Sequence, residues 1–273
     1  MAVPRRERLD RLIVLRGLAE TRERAHALVL SGAVRVDGSA ATRPAQLLET
    51  TAQIELTNTG PDYVSRGALK LAAALDRWAL DPAGQVALDV GASTGGFTDL
   101  LLRRGAARVY AVDVGYGQLH ARLRADPRVI VLERTNVRYL DQLPEAPHVA
   151  TIDVSFISLR LALPTLFRLT LETGWIVALV KPQFEAGRGQ VRKGVVRDAA
   201  VHRQVLDDLV AWSRSQPWHL QDVIVSPIRG PAGNVEFLSH WRHATSGVQP
   251  ASAEHVQQAI AQASIISIAC SRS

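Results

Sequence analysis

The chain has 273 residues, enough for one large domain and one small one, and 47% of them are hydrophobic. A single cysteine excludes an intramolecular disulfide framework, and the formal net charge of +6 suits a polyanionic partner. Because the first residues form no apolar signal segment and no apolar run approaches the ~20 residues of a membrane span, we expect a cytoplasmic protein with no membrane partner.

The basic residues are unevenly distributed. Residues 1–43 hold nine arginines against five acidic residues, and of the 32 lysines and arginines in the chain only Lys70, Lys181 and Lys193 are lysines. Arginine keeps its proton in proteins, whereas the environment of a lysine can make it give up its proton. These lysines are therefore candidates for proton transfer. Where each one lies in the predicted fold must show which of them takes part.

The N-terminal part of the chain predicts two short helices followed by a hairpin. Leu9, Leu12, Ile13 and Leu15 form an apolar stripe in the first helix, and Thr21 can cap the second. The strand "AVRV", the turn signal "DG" and the strand "AQIEL" come next. This order of elements predicts a small α+β domain.

The same region resembles the S-four-type RNA-binding domain, named after a protein of the small ribosomal subunit. The resemblance rests on "RLD", "R(x)RA" and "SGAVRVDG" in their usual order, and it assigns residues 1–58 to this domain and 59–64 to a linker. In that family a basic helix face binds structured RNA, and such phosphate contacts position a protein without reading sequence. The resemblance implies RNA contacts by Arg5, Arg6, Arg11, Arg22, Arg24 and Arg35. Arg66, which follows the linker, is a further candidate for RNA binding.

From residue 65 onward, helices alternate with apolar strands, which predicts an α/β domain built on a doubly wound, Rossmann-like sheet of about seven strands. This domain should span residues 65–245, and the tail 246–273 carries no clear pattern. Helices are expected over 65–78, from Phe97, around 158–170 and over 199–214, and strands over 86–90, 108–112, 128–132, 148–152, 175–180, 219–225 and 235–241.

The segment "ALDVGASTGGFTDLL" leads from the first of these strands into a helix through small residues, and residues 91–95 fit two hypotheses. As Gly-x-Ser-x-Gly they could expose Ser93 as the nucleophile of an α/β-hydrolase, with Asp153 and His202 following in suitable order. However, the loop follows the domain's first strand, and no glycine-rich oxyanion segment precedes it. The hydrolase hypothesis is therefore disfavoured.

The favoured hypothesis is a cofactor loop. It predicts an acidic residue about 20 residues further on that binds ribose hydroxyls, and Asp113 lies there. Asn136 is a weaker candidate for the adenine end and could be only a turn residue. The loop lacks both the G-x-G-x-x-G spacing and a Walker lysine, which leaves S-adenosylmethionine (SAM) as the expected cofactor, with no metal. The expected cofactor-binding residues are Gly91, Ala92, Ser93, Thr94, Gly95, Gly96, Phe97, Asp113 and Asn136.

Four polar residues should meet at the edge of the sheet where ligands bind. Asp153 and Lys181 end parallel strands, and Glu236 begins a last strand that is often antiparallel in such folds. Lys70 lies in the opening turns of the helix that precedes the first strand. Two of the chain's three lysines would thus lie beside the glycine loop.

This set suits the methylation of a ribose 2′-hydroxyl, which must lose its proton as it attacks a sulfonium methyl group. A lysine in water has a pKa of ~10.4 and is no base at neutral pH, but desolvation and a neighbouring cation favour its neutral form. Our hypothesis is that Lys181 is the base and that Lys70 is that cation. Asp153 and Glu236 would orient the lysines and the ribose for in-line transfer.

Taken together, these motifs resemble those of the TlyA family, whose members are known as haemolysins and as ribosomal RNA 2′-O-methyltransferases. They resemble the FtsJ-type methyltransferases more distantly. The resemblance spans about residues 5–243 and rests on "YVSRGALKL", "LDVGASTGGFTD", "VDVGYGQL", "ERTNVR", "DVSFISL", "LVKPQFEAGR", "KGVVRD" and "SPIRGPAGNVEF". It implies that the glycine segment binds SAM and that Lys70, Asp153, Lys181 and Glu236 form a catalytic tetrad. It also implies a cytidine ribose in ribosomal RNA, within subunits or their precursors, as the substrate.

Two other classes of function remain open at the level of sequence. A non-catalytic RNA-binding or ribosome assembly factor could retain a vestigial methyltransferase domain, although an intact tetrad argues against it. A membrane-lytic haemolysin is suggested by a family name, but "ASIISIAC" is too short to span a bilayer. No obligate protein partner is evident.

Overall fold

The structure, a computed structural model, describes residues 6–19, 21–30, 33–41, 43–56, 63–191 and 194–270. The chain divides into two compact units, Met1–Asp62 and Tyr63–Ser273. Each unit has its own apolar core.

The N-terminal unit is the predicted α+β domain. Its core is formed by Leu9 and Ile13 of the first helix together with residues of the second helix and the hairpin. Leu15 is 67% exposed, so its predicted place in the apolar stripe is wrong, because two residues beyond Ile13 it lies on the opposite side of the helix. The elements are β1 (Arg6–Arg8), α1 (Leu9–Leu15), α2 (Arg22–Leu30), β2 (Val34–Val36), β3 (Ser39–Ala40), β4 (Leu47–Glu49) and β5 (Ile54–Leu56).

The sheets of this unit are short and antiparallel. Strand β2 pairs with both β3 and β5, whereas β1 pairs with β4, a pairing that the sequence did not predict. At the turn between β2 and β3, Asp37 and Gly38 have φ of 50° and 78°. Two successive positive φ values match the twist of a tight hairpin, and this confirms the turn predicted from "DG".

The second unit is the predicted doubly wound α/β domain. One seven-stranded sheet has the order β11-β12-β10-β9-β6-β7-β8, and all strands are parallel except β12, which is antiparallel to both neighbours. The strands are β6 (Val86–Val90), β7 (Arg108–Val112), β8 (Val129–Leu132), β9 (Val149–Ile152), β10 (Trp175–Val180), β11 (Trp218–Val225) and β12 (Phe237–His243). The helices are α3 (Gly67–Trp78), α4 (Gly96–Arg103), α5 (Ala121–Arg124), α6 (Leu159–Leu169), α7 (Pro182–Glu185), α8 (Ala199–Ser213) and α9 (Ala253–Cys270).

Burial on both faces explains why the central strands read as unbroken apolar runs. All six residues of β10, "WIVALV", are buried. One core lies between the sheet and α6, α8 and α9, and the other lies between the sheet and α3, α4 and α5. None of the described helices is long and apolar enough to cross a membrane.

The sequence after residue 245 carried no clear pattern, but the structure shows a helix there, α9, that packs against β11 and α8. Val256, Ala259 and Ala263 are buried at helical spacing. Two of these residues are alanines, which give only a weak apolar signal in the sequence.

The second unit begins at Tyr63, within the predicted linker.

The order of the strands in the sheet indicates where a ligand would bind. The chain passes from β6 to β7 and β8 on one side, and then returns to build β9 and β10 on the other side of β6. Ligands of open α/β sheets bind beyond the carboxyl ends of the strands at such a reversal. The glycine loop follows β6, and Asp153 follows β9.

Candidate active site

The glycine loop, residues 91–96, is held against the ends of both strands that flank β6. Gly91 has φ of +78°, and a Cβ atom at this position would lie 2.3 Å from the backbone oxygen of Asp153, so only glycine fits. Ser93 has φ of +49°, and its backbone N–H donates to Oδ2 of Asp113 at 2.8 Å. The loop is therefore fixed by a close backbone approach on one side and by a carboxylate on the other.

Two lysine–carboxylate pairs involve the four residues that the sequence singled out. Nζ of Lys70 donates to Oε2 of Glu236 at 2.6 Å, and their side chains are only 9% and 1% exposed. Nζ of Lys181 lies 2.6 Å from Oδ1 of Asp153, and these side chains are 11% and 23% exposed. The first pair is dry, whereas the second borders on solvent.

Lys181 also donates to Oγ of Ser155 at 2.9 Å. Its contact with Asp153 is electrostatic rather than a well-angled hydrogen bond, and Oδ1 of Asp153 is a buried acceptor that receives no hydrogen bond from the described residues. The ammonium of Lys181, 2.6 Å away, compensates the charge of this buried oxygen.

The register of the sheet explains how two of these residues come together. In the antiparallel ladder of β10 and β12, Val180 pairs with Phe237, so Lys181 at the end of β10 is level with Glu236 at the start of β12. The parallel ladder of β9 and β10 brings Asp153 to the same edge. The antiparallel last strand is thus what allows residue 236 to reach the carboxyl edge of a parallel sheet.

A cavity of about 230 Å³ lies beside the glycine loop. Lys70 and Asp153 line it, one member of each lysine–carboxylate pair, whereas Lys181 and Glu236 are not among the lining residues. The rest of its lining comes from residues 65–67, 91–94, 96–97, 228–229 and 231.

Three predicted cofactor residues do not line this cavity: Gly95, Asp113 and Asn136. Asp113 accepts the backbone N–H of Ser93 and, through Oδ1, that of Gly115 at 2.7 Å. Asn136 caps the turn Val137–Tyr139 by accepting the N–H of Arg138 at 3.1 Å. The structure thus gives Asn136 the turn role that the sequence left open.

The structure does not support the hydrolase hypothesis, because the three residues of the supposed triad have other partners. Oγ of Ser93 donates to Oε1 of Gln118 at 3.3 Å. His202 is buried, and its Nε2 lies 3.2 Å from the backbone oxygen of Val196. Asp153 is paired with Lys181, so the three residues of the supposed triad each have other partners.

Sequence reasoning missed a buried carboxylate under the loop. Asp89 in β6 is fully buried and accepts hydrogen bonds from Thr98 at 2.6 Å and Thr151 at 2.8 Å. It thereby joins β6 to α4 and β9. Burial raises the pKa of Asp89 to about 6, although the two hydroxyl donors oppose this shift. A charged residue within the apolar run "VALDV" was the available signal.

The segment after Asp153 carries a second missed feature. Phe156 is 90% exposed and has φ of +66°, which is unusual for a residue with a bulky side chain. Its ring lies 5.1 Å from that of Phe184. A large exposed apolar ring in a strained conformation, three residues from a candidate catalytic residue, indicates a contact surface rather than a packing role.

Several of the predicted RNA-binding arginines have partners within the N-terminal unit. Nε of Arg22 donates to Asp10 at 3.1 Å, and Arg11 lies 3.3 Å from Glu7. Asp10 is buried, and hydrogen bonds from Arg8 and Arg22 lower its pKa to about 2.

The other predicted RNA contacts are placed as follows. Arg6 lies in β1, and Arg35 donates to the backbone oxygen of Gly38 at 3.1 Å. Arg66, in the second unit, is exposed and lines the cavity. Arg5, the side chain of Arg24 and the third lysine, Lys193, lie outside the described parts of the chain.

Comparison with known proteins gives the family. A family model of FtsJ-like methyltransferases matches residues 63–243, and a model of the S4 domain matches residues 7–54. The 16S/23S rRNA (cytidine-2′-O)-methyltransferase TlyA of Mycobacterium tuberculosis is 46% identical over 265 residues, which cover 95% of this chain and 97% of that protein. Hemolysin A of Brachyspira hyodysenteriae is 38% identical over 238 residues, or 86% of this chain and 99% of that one.

A solved structure of a Streptococcus thermophilus protein that carries a hemolysin name has a TM-score of 0.79, with 39% identity and coverage of 99% of this chain and 100% of that one. The sheet, its glycine loop and the added S4 unit together define a methyltransferase with an RNA-binding domain. The chain belongs to the FtsJ-like methyltransferase family and, within it, to the TlyA group.

Proposed function

We propose that this protein transfers a methyl group from SAM to the ribose 2′-hydroxyl of a cytidine in ribosomal RNA, within cytoplasmic ribosomal subunits or their precursors. The observation that carries the proposal is the pair of lysine–carboxylate contacts, one member of each lining a single cavity beside the glycine loop. The name of the M. tuberculosis relative supports the choice of nucleotide and RNA.

The residues around the cavity fit SAM. Small residues at 91–96 expose backbone to the cavity, and Asp113 stands at the neighbouring strand end where cofactor ribose hydroxyls are bound in this fold. Asp153, which lines the cavity, adds a carboxylate to its wall. When bound, SAM supplies the electrophilic methyl group.

Lys181 acts as the base in this proposal. The ribose oxygen is a poor nucleophile while it holds its proton, and Nζ of the neutral amine of Lys181 takes that proton. Asp153 and Ser155 fix the position of Nζ. The reaction therefore requires the neutral amine of Lys181.

In this proposal the Lys70–Glu236 pair holds the ammonium group of Lys70 in a fixed position beside the cavity. Lys70 lines the cavity, and Glu236 holds its ammonium in a place from which water is largely excluded. A cation at this position stabilises negative charge that develops on the ribose oxygen. Arginine side chains of the S4 domain, with Arg66 at the cavity, supply phosphate contacts that hold the RNA.

The experiment is to incubate purified protein and SAM with ribosomal subunits that lack the modification, digest the RNA to nucleosides and identify the product by mass spectrometry. We expect 2′-O-methylcytidine. A base-methylated nucleoside would refute ribose methylation. If the protein binds the subunits and no methylated nucleoside forms, a non-catalytic assembly factor becomes the better account.

A further inference from the structure

Two adjacent segments at the active-site edge are joined near their beginnings, middles and ends. The rim loop, residues 153–158, follows β9, and the brace, residues 181–185, follows the neighbouring strand β10. Lys181 contacts the start of the rim loop at Asp153 and Ser155. The ring of Phe184 in the brace lies 5.1 Å from that of Phe156 in the middle of the loop, tilted by 48°.

The end of the rim loop is held by Glu185, the last residue of the brace. Oε2 of Glu185 accepts the hydroxyl of Ser158 at 2.6 Å, and Oε1 accepts the backbone N–H of Leu159 at 2.7 Å. Leu159 is the first residue of α6, so this N–H has no partner within the helix. A two-pronged side chain with one oxygen toward each group satisfies both at once.

We propose that Glu185 is a positioning residue for methyl transfer: by fixing the end of the rim loop, it sets where Asp153, Ser155 and Phe156 stand relative to Lys181. This inference rests on the proposed function. Glu185 is partly buried, and desolvation raises its pKa although the hydrogen bonds from Ser158 and Leu159 oppose that shift. Its two hydrogen bonds to the end of the rim loop are expected if the geometry of that loop depends on this carboxylate.

A simple helix-capping role would look different from a positioning role. Asp198 offers a matched control, because it caps α8 by accepting the N–H of Ala200 at 2.8 Å. Asp198→Ala removes a carboxylate cap of the same kind without touching the rim loop. If Glu185 only stabilises a helix, the two alanine variants should behave alike.

The test compares Glu185→Ala, Glu185→Gln and Asp198→Ala for kcat, SAM affinity and thermal stability. We expect Glu185→Ala to lower kcat at least about tenfold with little change in SAM affinity, because small displacements of reacting groups are costly. Glu185→Gln should restore most of kcat, since its amide can accept from Leu159 and donate to Ser158. Unchanged kcat in Glu185→Ala, or an equal fall in Asp198→Ala, would overturn the proposal.

Amide hydrogen exchange of the rim loop tests the role of Glu185 independently of the proposed methyl transfer. Faster exchange in residues 153–158 of Glu185→Ala, absent from Asp198→Ala, is expected whatever reaction the protein performs. If wild type transfers no methyl group, the proposed function fails, while exchange still decides whether Glu185 holds the rim loop. If the alanine variant does not fold, Glu185→Asp, which keeps the charge and shortens its reach, should show the same fall in kcat; wild-type kcat there would overturn the proposal.

Discussion

Lys70 and Glu236 are 166 positions apart in the chain, and their side chains meet at 2.6 Å in the interior. Neither has much contact with water. Removing one partner of such a pair leaves an uncompensated buried charge, which typically costs about 3–5 kcal/mol.

We therefore expect Glu236→Ala to lower the free energy of unfolding by about 3 kcal/mol or more in urea titrations, besides abolishing methyl transfer. The matched control is Asp76→Ala, which breaks the exposed pair of Asp76 with Arg104 and should cost far less. Equal losses in the two variants would show that the Lys70–Glu236 pair is no more buried in solution than a surface pair.

Gly230 lies directly against the carboxylate of Glu236. A Cβ atom at this position would come within 2.4 Å of Oε1, so Gly230→Ala should push the carboxylate away from Lys70 and lower kcat without a comparable loss of SAM binding. Gly189→Ala is the control, because a Cβ atom there meets nothing within 4 Å. Full activity of Gly230→Ala would argue against a tight requirement on the position of Glu236.

The buried Asp89 should make stability depend on pH. Burial raises its pKa to about 6, so the folded protein holds this proton more tightly than the unfolded chain does. Its favourable contribution is complete below the ordinary value of about 4 and is lost as pH rises through about 6. Between pH 4 and 7, the free energy of unfolding of wild type relative to Asp89→Asn should fall by a few kcal/mol; parallel curves would contradict this account.

Phe156 should contribute to RNA rather than to cofactor binding. Stacking of a base on an exposed aromatic ring is worth about 1–3 kcal/mol, so Phe156→Ala should lower kcat/KM for RNA roughly tenfold or more and leave SAM affinity unchanged. Phe156→Trp should retain activity. Leu161→Ala, at an exposed apolar residue of α6, is the control and should have little effect. If Phe156→Ala leaves kcat/KM for RNA unchanged, Phe156 does not contribute to RNA binding.

Ser93 belongs to a turn and is not expected to act as a nucleophile. Its hydroxyl is bound only weakly, at 3.3 Å, to Gln118, whereas its backbone N–H holds the loop to Asp113. Ser93→Ala keeps that N–H and should cost little methyl transfer. Complete loss of activity with SAM binding intact would count heavily against the cofactor-loop interpretation.

Features set by local patterns could be predicted from the sequence. The hairpin turn at Asp37 follows from conformational preference, and the buried strands such as β10 follow from continuous apolar runs. The convergence of Lys181 and Glu236 could also be anticipated, because the direction of the last strand places residue 236 at the correct edge.

Features that depend on side-chain packing could not be predicted. Which carboxylate pairs with which lysine depends on rotamers, and the alanine-rich face of α9 gives little apolar signal. The double contact of Glu185 needs the backbone of two segments that are distant in sequence. Such contacts exist only once the sheet is assembled.

The central claim is that Lys181 removes the proton of a ribose hydroxyl during methyl transfer from SAM. The most direct measurement is transfer of a labelled methyl group from SAM to unmodified ribosomal subunits by wild type and by Lys181→Arg, with SAM binding measured for both. Arginine keeps the positive charge and cannot give up its proton. The account predicts labelling of RNA by wild type and none by a Lys181→Arg variant that still binds SAM; near-wild-type labelling by that variant would contradict it and leave Lys181 as no more than a fixed charge.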